Sequence, residues 1–236
     1  MRTIGLLGGM SWESTAIYYR LANELVRERL GGLHSARLLL LSVDFAPIEE
    51  MQVDDRWDEA GALLAAEARR LEAGGADLLV LCTNTMHKVA DAIERSVGIP
   101  LLHLGDVTAT AVLAAGLDSV GLLGTGFTMS QDFYRGRLES HGLRVLVPSE
   151  EDQALVHRVI YDELCVGVVR EQSRQAYLEV VDRLVADGAQ GIVLGCTEIE
   201  LLIGPHDLTV PSFPTTRLHV EAAVDRALDG GARKRT

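Results

Sequence analysis

Residues 70–85 read RLEAGGADLLVLCTNT and residues 183–198 read RLVADGAQGIVLGCTE; placed over one another without a gap, they are identical at seven of sixteen positions. Each stretch passes from a helix end through a glycine turn into an apolar strand, and then into a polar cluster. In this register Thr83 lies opposite Cys196, and Cys82 lies opposite Gly195. The repeat predicts a duplicated α/β unit whose two copies differ at the strand end.

A second repeat supports the duplication. GLLGG at 5–9 returns as GLLGT at 121–125, at an offset of 116 residues against 113 for the first repeat. Nearly equal offsets predict two pseudo-symmetric halves, an N-terminal half of residues 1–102 plus 213–236 and a C-terminal half of residues 103–212. Apolar runs that alternate with helical segments favour a mainly parallel sheet flanked by helices in each half. We expect a ligand to bind in the cleft between the halves.

The pattern of apolar and polar residues also predicts the individual elements. The segment SVDFAPIEEMQ at 42–52 reads as a loop. Strands are expected near 2–8, 36–43, 77–83, 99–102, 118–124, 143–147, 190–195 and 208–211. Helices are expected near 11–30, 56–74, 86–96, 106–115, 130–141, 151–166, 170–187, 198–203 and 215–229.

Composition and net charge indicate which kinds of molecule the protein can bind. The chain has 236 residues and a formal net charge of −12, which repels nucleic acids and anionic membrane surfaces. The apolar run at the start is too short for a signal peptide or a membrane span. Three cysteines without ligand-like spacing favour neither a disulfide framework nor a metal site. We therefore expect a cytoplasmic protein that acts on a small molecule and binds neither nucleic acid nor membrane.

Small and polar residues follow four of the predicted strands. In parallel sheets, ligands bind outside the carboxyl ends of the strands, and a helix that starts there offers backbone N–H groups to an anion. The chain contains neither a P-loop nor a dinucleotide-binding fingerprint, so a carboxylate is favoured over a phosphate. Alternatively, the glycines only make tight turns. The four strand ends are 8–11, 82–85, 124–128 and 196–198.

The three thiols differ in their expected roles. Cys196 follows a strand and opens a short helix, where a thiol has a lowered pKa and can act as a thiolate base. Cys82 ends a strand, and its side chain and that of Thr83 point to opposite faces. We therefore expect Cys82 in the core. The alternative is that Cys82 is the reactive thiol. Cys165 reads as a small apolar residue, with ligand contact as the alternative. Two protic groups on opposite sides of a carboxylate-bearing carbon suit racemisation.

The segments GGMSWEST at 8–15, CTNTMHK at 82–88 and GCTEIELL at 195–202 resemble the cofactor-independent aspartate/glutamate racemase family. With SVDF at 42–45 and MSQDFYRGRL at 129–138, the chain is most similar to a bacterial branch of broad-specificity amino-acid racemases. The resemblance implies two similar α/β domains, an isomerase without pyridoxal phosphate or other cofactor, and a pair of catalytic cysteines. It also implies a homodimer whose small-molecule substrate is an amino acid.

This chain departs from the family pattern at three points. The usual first motif is Cys-Asn-Thr, and here Thr83 precedes Asn84 and Thr85, whereas the second motif, Gly-Cys-Thr at 195–197, is intact. Cys165 stands where aspartate racemases tend to carry a lysine, and the segment 42–52 lacks their arginine. The resemblance therefore implies that Thr83 and Cys196 are the catalytic pair and that specificity is broad rather than limited to aspartate.

The expected binding residues complete this hypothesis. Met10 and Gln52 are expected to line the pocket for the substrate side chain. Glu198 and His87 could orient or charge-balance the thiol, or they could be exposed helix residues. The α-carboxylate is expected on Thr83, Asn84, Thr85, Thr125, Thr128 and Thr197.

Two alternatives remain open at this stage. Relatives with the same framework carry out hydantoin racemisation, malonate decarboxylation and maleate isomerisation, and one reactive thiol would also suit these reactions. A non-catalytic sensor of small anions is the second alternative, because a two-domain α/β cleft can serve in that role.

Overall fold

The computed structural model describes residues 1–232, and the side chains of residues 1–229. The last four residues, 233–236, which belong to the predicted N-terminal half, lie outside this range. The chain divides into two compact units. Unit 1 comprises Met1–His103 together with the C-terminal segment that starts at His219, and unit 2 comprises Leu104–Leu218.

The sheet of unit 1 contains four parallel strands in the order β2-β1-β3-β4. The two central strands, β1 and β3, consist of fully buried apolar residues and glycine, as expected of a parallel strand that is covered on both faces. The edge strand β2 is partly exposed. The strand bounds are Ile4–Gly8 (β1), Leu38–Ser42 (β2), Leu78–Leu81 (β3) and Leu101–Leu102 (β4).

Unit 2 repeats this plan with four parallel strands in the order β6-β5-β7-β8. Its central strands, β5 and β7, are again buried at every position. The bounds are Ser119–Gly124 (β5), Arg144–Leu146 (β6), Ile192–Gly195 (β7) and Ser212–Pro214 (β8). Each unit is therefore an α/β sandwich around a parallel sheet, which confirms the predicted fold class.

Helices connect the strands, and several begin at a residue whose side chain accepts a hydrogen bond from the first turn. Ser11, Thr125 and Ser149 cap the N-termini of α1, α6 and α8 in this way. None of the helices in residues 1–232 is both long and apolar enough to cross a lipid bilayer. The α-helices are Trp12–Leu30 (α1), Phe45–Val53 (α2), Trp57–Ala73 (α3), Ala90–Glu94 (α4), Leu104–Ala114 (α5), Gly126–Ser130 (α6), Asp132–Ser140 (α7), Glu150–Asp162 (α8), Glu171–Ala186 (α9) and Thr215–Ala232 (α10).

One helix and one strand are the clearest differences from the sequence prediction. The segment 42–52, expected to be a loop, contains α2, because Asp44 caps the helix and Pro47 occupies its first turn, where a missing N–H costs nothing. The last strand lies at Ser212–Pro214 rather than 208–211, where its residues pair with β7 from Ile192 to Leu194.

The predicted helices near 86–96 and 198–203 are shorter and tighter than expected. The first is a 3-10 helix, Thr85–Val89, followed by α4. The second is a 3-10 helix, Thr197–Leu201. Both follow directly on the strand ends that carry the candidate site.

Candidate active site

Thr83 and Cys196 occupy equivalent positions in their own units. The central strands pair in the same register, through Leu6–Val80 and Leu7–Leu81 in unit 1 and through Leu122–Val193 and Leu123–Leu194 in unit 2. The next residue along each second strand is Cys82 in unit 1 and Gly195 in unit 2, and the one after it is Thr83 or Cys196. Strand pairing therefore reproduces, within each unit, the alignment that the sequence repeat predicts.

The two candidate residues at the strand end of unit 1 differ in burial. Cys82 is fully buried, and its Sγ lies 3.8 Å from the carbonyl oxygen of Val80. Burial raises the pKa of the Cys82 thiol, so the thiolate form is disfavoured there. Thr83 is partly accessible, whereas Asn84 and Thr85 are buried. The structure thus places the Cys82 thiol in the core, as the alternation of strand faces predicts.

His87 lies behind Thr83 and is buried, which contradicts the alternative that it is an exposed helix residue. Its Nδ1 donates a hydrogen bond to the carbonyl oxygen of Thr83, at 2.7 Å. Its ring centroid lies 4.7 Å from that of His103 and 5.8 Å from that of His219. We refer to His87, His103 and His219 as the histidine cluster. His87 contacts Thr83 through the backbone carbonyl group of Thr83.

His219 holds one tautomer in this cluster. Its Nε2 donates to the carbonyl oxygen of Leu102 at 2.7 Å, so its Nδ1 accepts from the hydroxyl of Tyr18 at 3.0 Å. The ring is fully buried, and burial lowers its pKa to about 4, with the neighbouring His103 adding to the shift. At neutral pH the unit-1 strand end is therefore backed by an uncharged imidazole at His219.

Two further predicted residues of unit 1 are buried. Met10 follows β1, where Gly9 has a φ of 99°, and the Gly9 N–H donates to Thr15 Oγ1 at 2.8 Å. That N–H group is therefore used within the turn and not offered to an anion. Gln52, on α2, donates from Nε2 to Met86 Sδ at 2.9 Å, and its Oε1 has no hydrogen-bond partner among the described residues. A buried acceptor of this kind suits a ligand that carries an N–H group.

Lys88 lies in the same motif but is engaged elsewhere. Its Nζ lies 3.8 Å from the centroid of the Trp57 ring and 3.9 Å from Asp55 Oδ1. Burial lowers the pKa of Lys88, and the Asp55 charge opposes that shift. This cation is held on the indole of α3 by a cation–π contact and an ion pair.

The strand end in unit 2 presents Cys196. A side chain at Gly195 would place its Cβ 2.8 Å from the carbonyl oxygen of Leu123, so only glycine fits before the thiol. Cys196 has an extended backbone and is partly accessible, and its Sγ donates to Glu198 Oε2 at 2.9 Å. Glu198 is buried, at 8 % exposure, which contradicts the alternative that it is an exposed helix residue.

The thiol of Cys196 does not have the lowered pKa that its place before a helix predicts. Packing among apolar side chains raises the pKa of Cys196 well above its ordinary value, and the charge and hydrogen bond of Glu198 raise it further. The following 3-10 helix is only five residues long and carries the acidic Glu198 and Glu200 in its first turn, so its dipole cannot offset these effects. At rest Cys196 is a neutral thiol.

Hydroxyl groups support both sides of this strand end. Thr197 Oγ1 lies 2.7 Å from Thr216 Oγ1, and Thr215 Oγ1 donates to the carbonyl oxygen of Leu194 at 2.9 Å. Thr215 and Thr216 open α10 and were missed by the sequence reasoning, although two adjacent hydroxyls at a helix start are a recognisable signal. They hold the Leu194 carbonyl group and the Thr197 side chain, on either side of Cys196.

Thr125 and Thr128 lie at the neighbouring strand end, after β5. The Thr125 hydroxyl accepts from the Thr128 N–H at 3.3 Å, and the two hydroxyl oxygens are 3.2 Å apart. Thr128 is fully buried, so the contacts described for it are those of a helix cap and of packing. A role of either threonine in binding substrate stays a prediction.

Cys165 lies in a 3-10 helix, Leu164–Val166, and is partly buried against the same apolar cluster as Cys196. The two thiols are close enough for Cys165 to contribute to the raised pKa of Cys196. In residues 1–232, no group of three or more histidine, cysteine, aspartate or glutamate side chains could hold a metal ion. Cys165 is a packing neighbour of the candidate thiol, and contact with a ligand stays a prediction.

Comparison with known proteins agrees with the α/β fold of the two units. The family model for Asp/Glu/hydantoin racemase matches residues 7–223. A candidate Asp/Glu racemase from Yersinia pestis is 53 % identical, with 97 % of this chain and 100 % of that chain covered and a TM-score of 0.92. An aspartate racemase homologue from Pyrococcus horikoshii OT3 is 33 % identical, with coverage of 97 % and 100 % and a TM-score of 0.86.

A curated relative extends the comparison to a named activity. The broad specificity amino-acid racemase RacX of Bacillus subtilis (strain 168) is 21 % identical over 231 residues, which cover 95 % of this chain and 98 % of that protein. The family match and the two structures together cover nearly the whole chain. The chain therefore belongs to the Asp/Glu/hydantoin racemase family and is an isomerase of the amino-acid racemase type.

Proposed function

We propose that the protein racemises amino acids by two proton transfers at the α carbon, with Cys196 and Thr83 acting on opposite faces. The observation that carries this proposal is the register of the central strands, which gives Thr83 and Cys196 equivalent positions in the two units. Both transfers are acid–base steps that side chains can perform, so the proposal invokes no cofactor.

In the proposed reaction, Cys196 removes the α proton and leaves its electron pair on the substrate. The α-carboxylate takes up the developing charge and is stabilised by the fixed dipoles of the strand ends, from Thr83 to Thr85 and at Thr125, Thr128 and Thr197. Thr83, or a water molecule bound to it, then delivers a proton to the other face. In the opposite direction Thr83 would have to remove the α proton. A threonine hydroxyl is a much weaker base than a thiolate, so we expect that direction to be slower.

The proposed substrates are amino acids with uncharged side chains, and the specificity is broad. Lys88, the cation in the unit-1 motif, is held on Trp57 and Asp55. Cys165 occupies the position at which the family resemblance implies a lysine. Glu198 accepts the hydrogen bond of the thiol, and the acidic Glu200 lies on the same short helix. A second carboxylate on the substrate would meet repulsion in unit 2.

The substrate's α-ammonium group has a fitting acceptor in unit 1. Gln52 is 3 % exposed, and its Oε1 lacks a hydrogen-bond partner among the described residues. An ammonium group would remove the cost of leaving that acceptor unsatisfied. Met10, which is also buried, would contact the apolar part of the same substrate.

The test follows the α proton and the chirality together. A panel of L- and D-amino acids is incubated with the protein in deuterated buffer, without added cofactor. Circular dichroism then reports racemisation, and mass spectrometry reports exchange of the α proton. We expect both signals with neutral amino acids, and weaker signals with aspartate and glutamate.

Two cysteine variants make the test specific to the proposed thiol. Cys196→Ser should abolish exchange for both enantiomers, by roughly 10³-fold or more, because a serine hydroxyl is not a comparable base. Cys82→Ala is the matched control and should retain exchange, since Cys82 is buried in the core. Full exchange in Cys196→Ser would overturn the assignment. Exchange without loss of chirality would indicate another reaction of the same framework, and binding without exchange would indicate a sensor.

A further inference from the structure

The backbone of Thr83 is hydrogen-bonded at both of its polar groups. The preceding residue, Cys82, still bonds to the neighbouring strand, through its N–H and the carbonyl oxygen of Leu7 at 2.9 Å. The Thr83 N–H donates instead to the carbonyl oxygen of Leu81, at 2.9 Å. The Thr83 carbonyl oxygen accepts from His87 Nδ1, at 2.7 Å. At the candidate residue itself, a side chain therefore holds the carbonyl group.

The equivalent residue of unit 2 is held in a different way. The carbonyl oxygen of Cys196 accepts from the backbone N–H of Ile199, at 3.2 Å. The offset of 113 residues places Glu200 opposite His87, and Glu200 is exposed. A backbone donor is kept when its side chain is substituted, whereas the donor of His87 is lost with its ring. A substitution at residue 87 therefore releases the carbonyl group of Thr83 and leaves that of Cys196 bonded.

Packing fixes the His87 ring in the orientation that this contact needs. The side chain is buried, and the rings of His103 and His219 lie against it, edge to face. His219 is in turn hydrogen-bonded to the Leu102 carbonyl group and the Tyr18 hydroxyl. A carbonyl oxygen only accepts, so Nδ1 of His87 carries a proton in this contact, whether the ring is neutral or charged. The donor is therefore fixed in place and available in both forms of the imidazole.

The place of a threonine hydroxyl depends strongly on its backbone. Threonine is branched at Cβ, which restricts its χ1 angle to a few rotamers. The two hydrogen bonds to the backbone of Thr83 therefore determine where its hydroxyl can lie. A proton donor must come within hydrogen-bond reach of the atom that it protonates, and a misplacement of about 1 Å can lower a rate by roughly 10²-fold.

We propose, on the basis of the racemase function above, that His87 is a positioning residue for Thr83. Its Nδ1–H holds the Thr83 carbonyl group and so keeps the hydroxyl, or the water bound to it, in place to protonate the α carbon. Proton removal by Cys196 does not use this contact. When the contact is lost, Cys196 still removes the α proton and returns a solvent-derived proton to the same face. The α proton then exchanges while the chirality is kept.

The experiment measures exchange and racemisation separately in His87→Phe, which keeps a buried ring but has no donor. Both enantiomers of a neutral amino acid are incubated in deuterated buffer, with mass spectrometry for exchange and circular dichroism for chirality. Racemisation should fall by roughly 10- to 100-fold, because the donor of one face is misplaced. Exchange should stay within about threefold for the enantiomer that Cys196 deprotonates, and should fall for the other enantiomer.

Two further variants separate the hydrogen bond from the packing of the ring. His87→Asn loses the ring but carries an amide N–H close to the place of Nδ1–H, and should racemise within about threefold of the unmodified protein. His219→Gln removes another ring of the histidine cluster without removing the contact with Thr83, and should change the ratio of exchange to racemisation by less than about twofold. Thermal unfolding checks that each variant folds, and His87→Leu replaces His87→Phe if the larger ring prevents folding.

Three outcomes would overturn the positioning role of His87. They are racemisation in His87→Phe within about threefold of the unmodified protein, an equal fall of exchange and racemisation for both enantiomers, and a His87→Asn variant no more active than His87→Phe. If the unmodified protein neither exchanges the α proton nor racemises any amino acid, the proposed function fails, and the role of His87 fails with it. An active unmodified protein with an unchanged ratio in His87→Phe would refute the role of His87 alone.

Discussion

The two strand ends share a backbone plan but differ in their chemistry. In unit 1, Thr83 is backed by the histidine cluster, in which His219 is uncharged at neutral pH. In unit 2, Cys196 donates directly to the buried carboxylate of Glu198. A duplicated fold has thus kept the positions of two groups while placing imidazole rings next to one and a buried carboxyl group next to the other. The comparison teaches that equivalent positions need not carry equivalent acids and bases.

After Cys196→Ser, the largest expected effect comes from removing the hydroxyl of Thr83. Thr83→Ala should lower racemisation by roughly 10²- to 10³-fold, because the hydroxyl or its bound water is lost from one face of the α carbon. The rates are measured from both enantiomers by circular dichroism. Activity within about threefold of the unmodified protein would mean that the two strand ends are not a functional pair.

Thr83→Cys gives both strand ends a thiol and so tests whether their chemical difference limits one direction of the reaction. The equilibrium constant of racemisation is unity, so kcat/KM must be the same in both directions, and any inequality appears in the separate kcat values. We expect the lower of the two kcat values to rise by about tenfold. No change in their ratio would contradict the alignment of Thr83 with Cys196.

The lowered pKa of His219 predicts a loss of stability in acid. The pKa of His219 is about 4 in the folded protein, below the 6.5 of a free imidazole. The unfolded chain therefore binds a proton first as the pH falls. The free energy of unfolding should be unaffected above pH 6.5 and fall by about 3 kcal/mol between pH 6.5 and pH 4.

Urea unfolding at a series of pH values measures this dependence. His219→Gln should unfold more easily at neutral pH but show a shallower loss between pH 6.5 and pH 4. His34→Gln, at an exposed position of the same unit, is the control and should leave the pH dependence unchanged. An equally steep loss in His219→Gln would refute the role of this imidazole.

A smaller effect on stability is expected at Gly195, which directly precedes Cys196. Gly195→Ala should destabilise the protein by about 2 kcal/mol, because the new Cβ would lie 2.8 Å from the carbonyl oxygen of Leu123. Its counterpart Cys82 already carries a side chain, so Cys82→Ser introduces no such clash. Thermal unfolding of both variants compares the two strand ends directly, and equal shifts would argue against a specific close approach in unit 2.

The smallest effect is expected at Lys88. Lys88→Met should lower stability by about 1 kcal/mol or less, through loss of the contact with Trp57. Racemisation of neutral amino acids should change by less than about twofold, since this cation is engaged with Trp57 and Asp55. A selective loss of activity toward aspartate would show instead that Lys88 binds a second carboxylate.

Much of the fold could be predicted from the repeat. Two copies of one apolar run at a constant offset predict two parallel sheets, and the strand register then brings Thr83 and Cys196 to equivalent positions. Helix α2 was missed, although Asp44 is a recognisable cap and a proline in the first turn of a helix is tolerated. The strand at 208–211 was placed too early, because its position is decided by pairing with β7 and not by local hydrophobicity.

The protonation states could not be predicted from the sequence. A cysteine before a helix normally has a lowered pKa, but that rule takes no account of the packing around Cys196 or of the direction in which Glu198 points. The histidine cluster was equally hidden, because His87, His103 and His219 are distant in sequence and meet only after folding. Local patterns predict elements, whereas proton affinity depends on tertiary surroundings.

The stacking of Lys88 on Trp57 also gives the protein an optical reporter. The chain has two tryptophans, of which Trp12 is 67 % exposed and Trp57 is buried beneath the ammonium group. Lys88 belongs to the 3-10 helix Thr85–Val89 that follows Thr83, so a small movement of this helix would change the electric field at the Trp57 indole. In a Trp12→Phe background, fluorescence from Trp57 should follow substrate binding at the unit-1 strand end in real time.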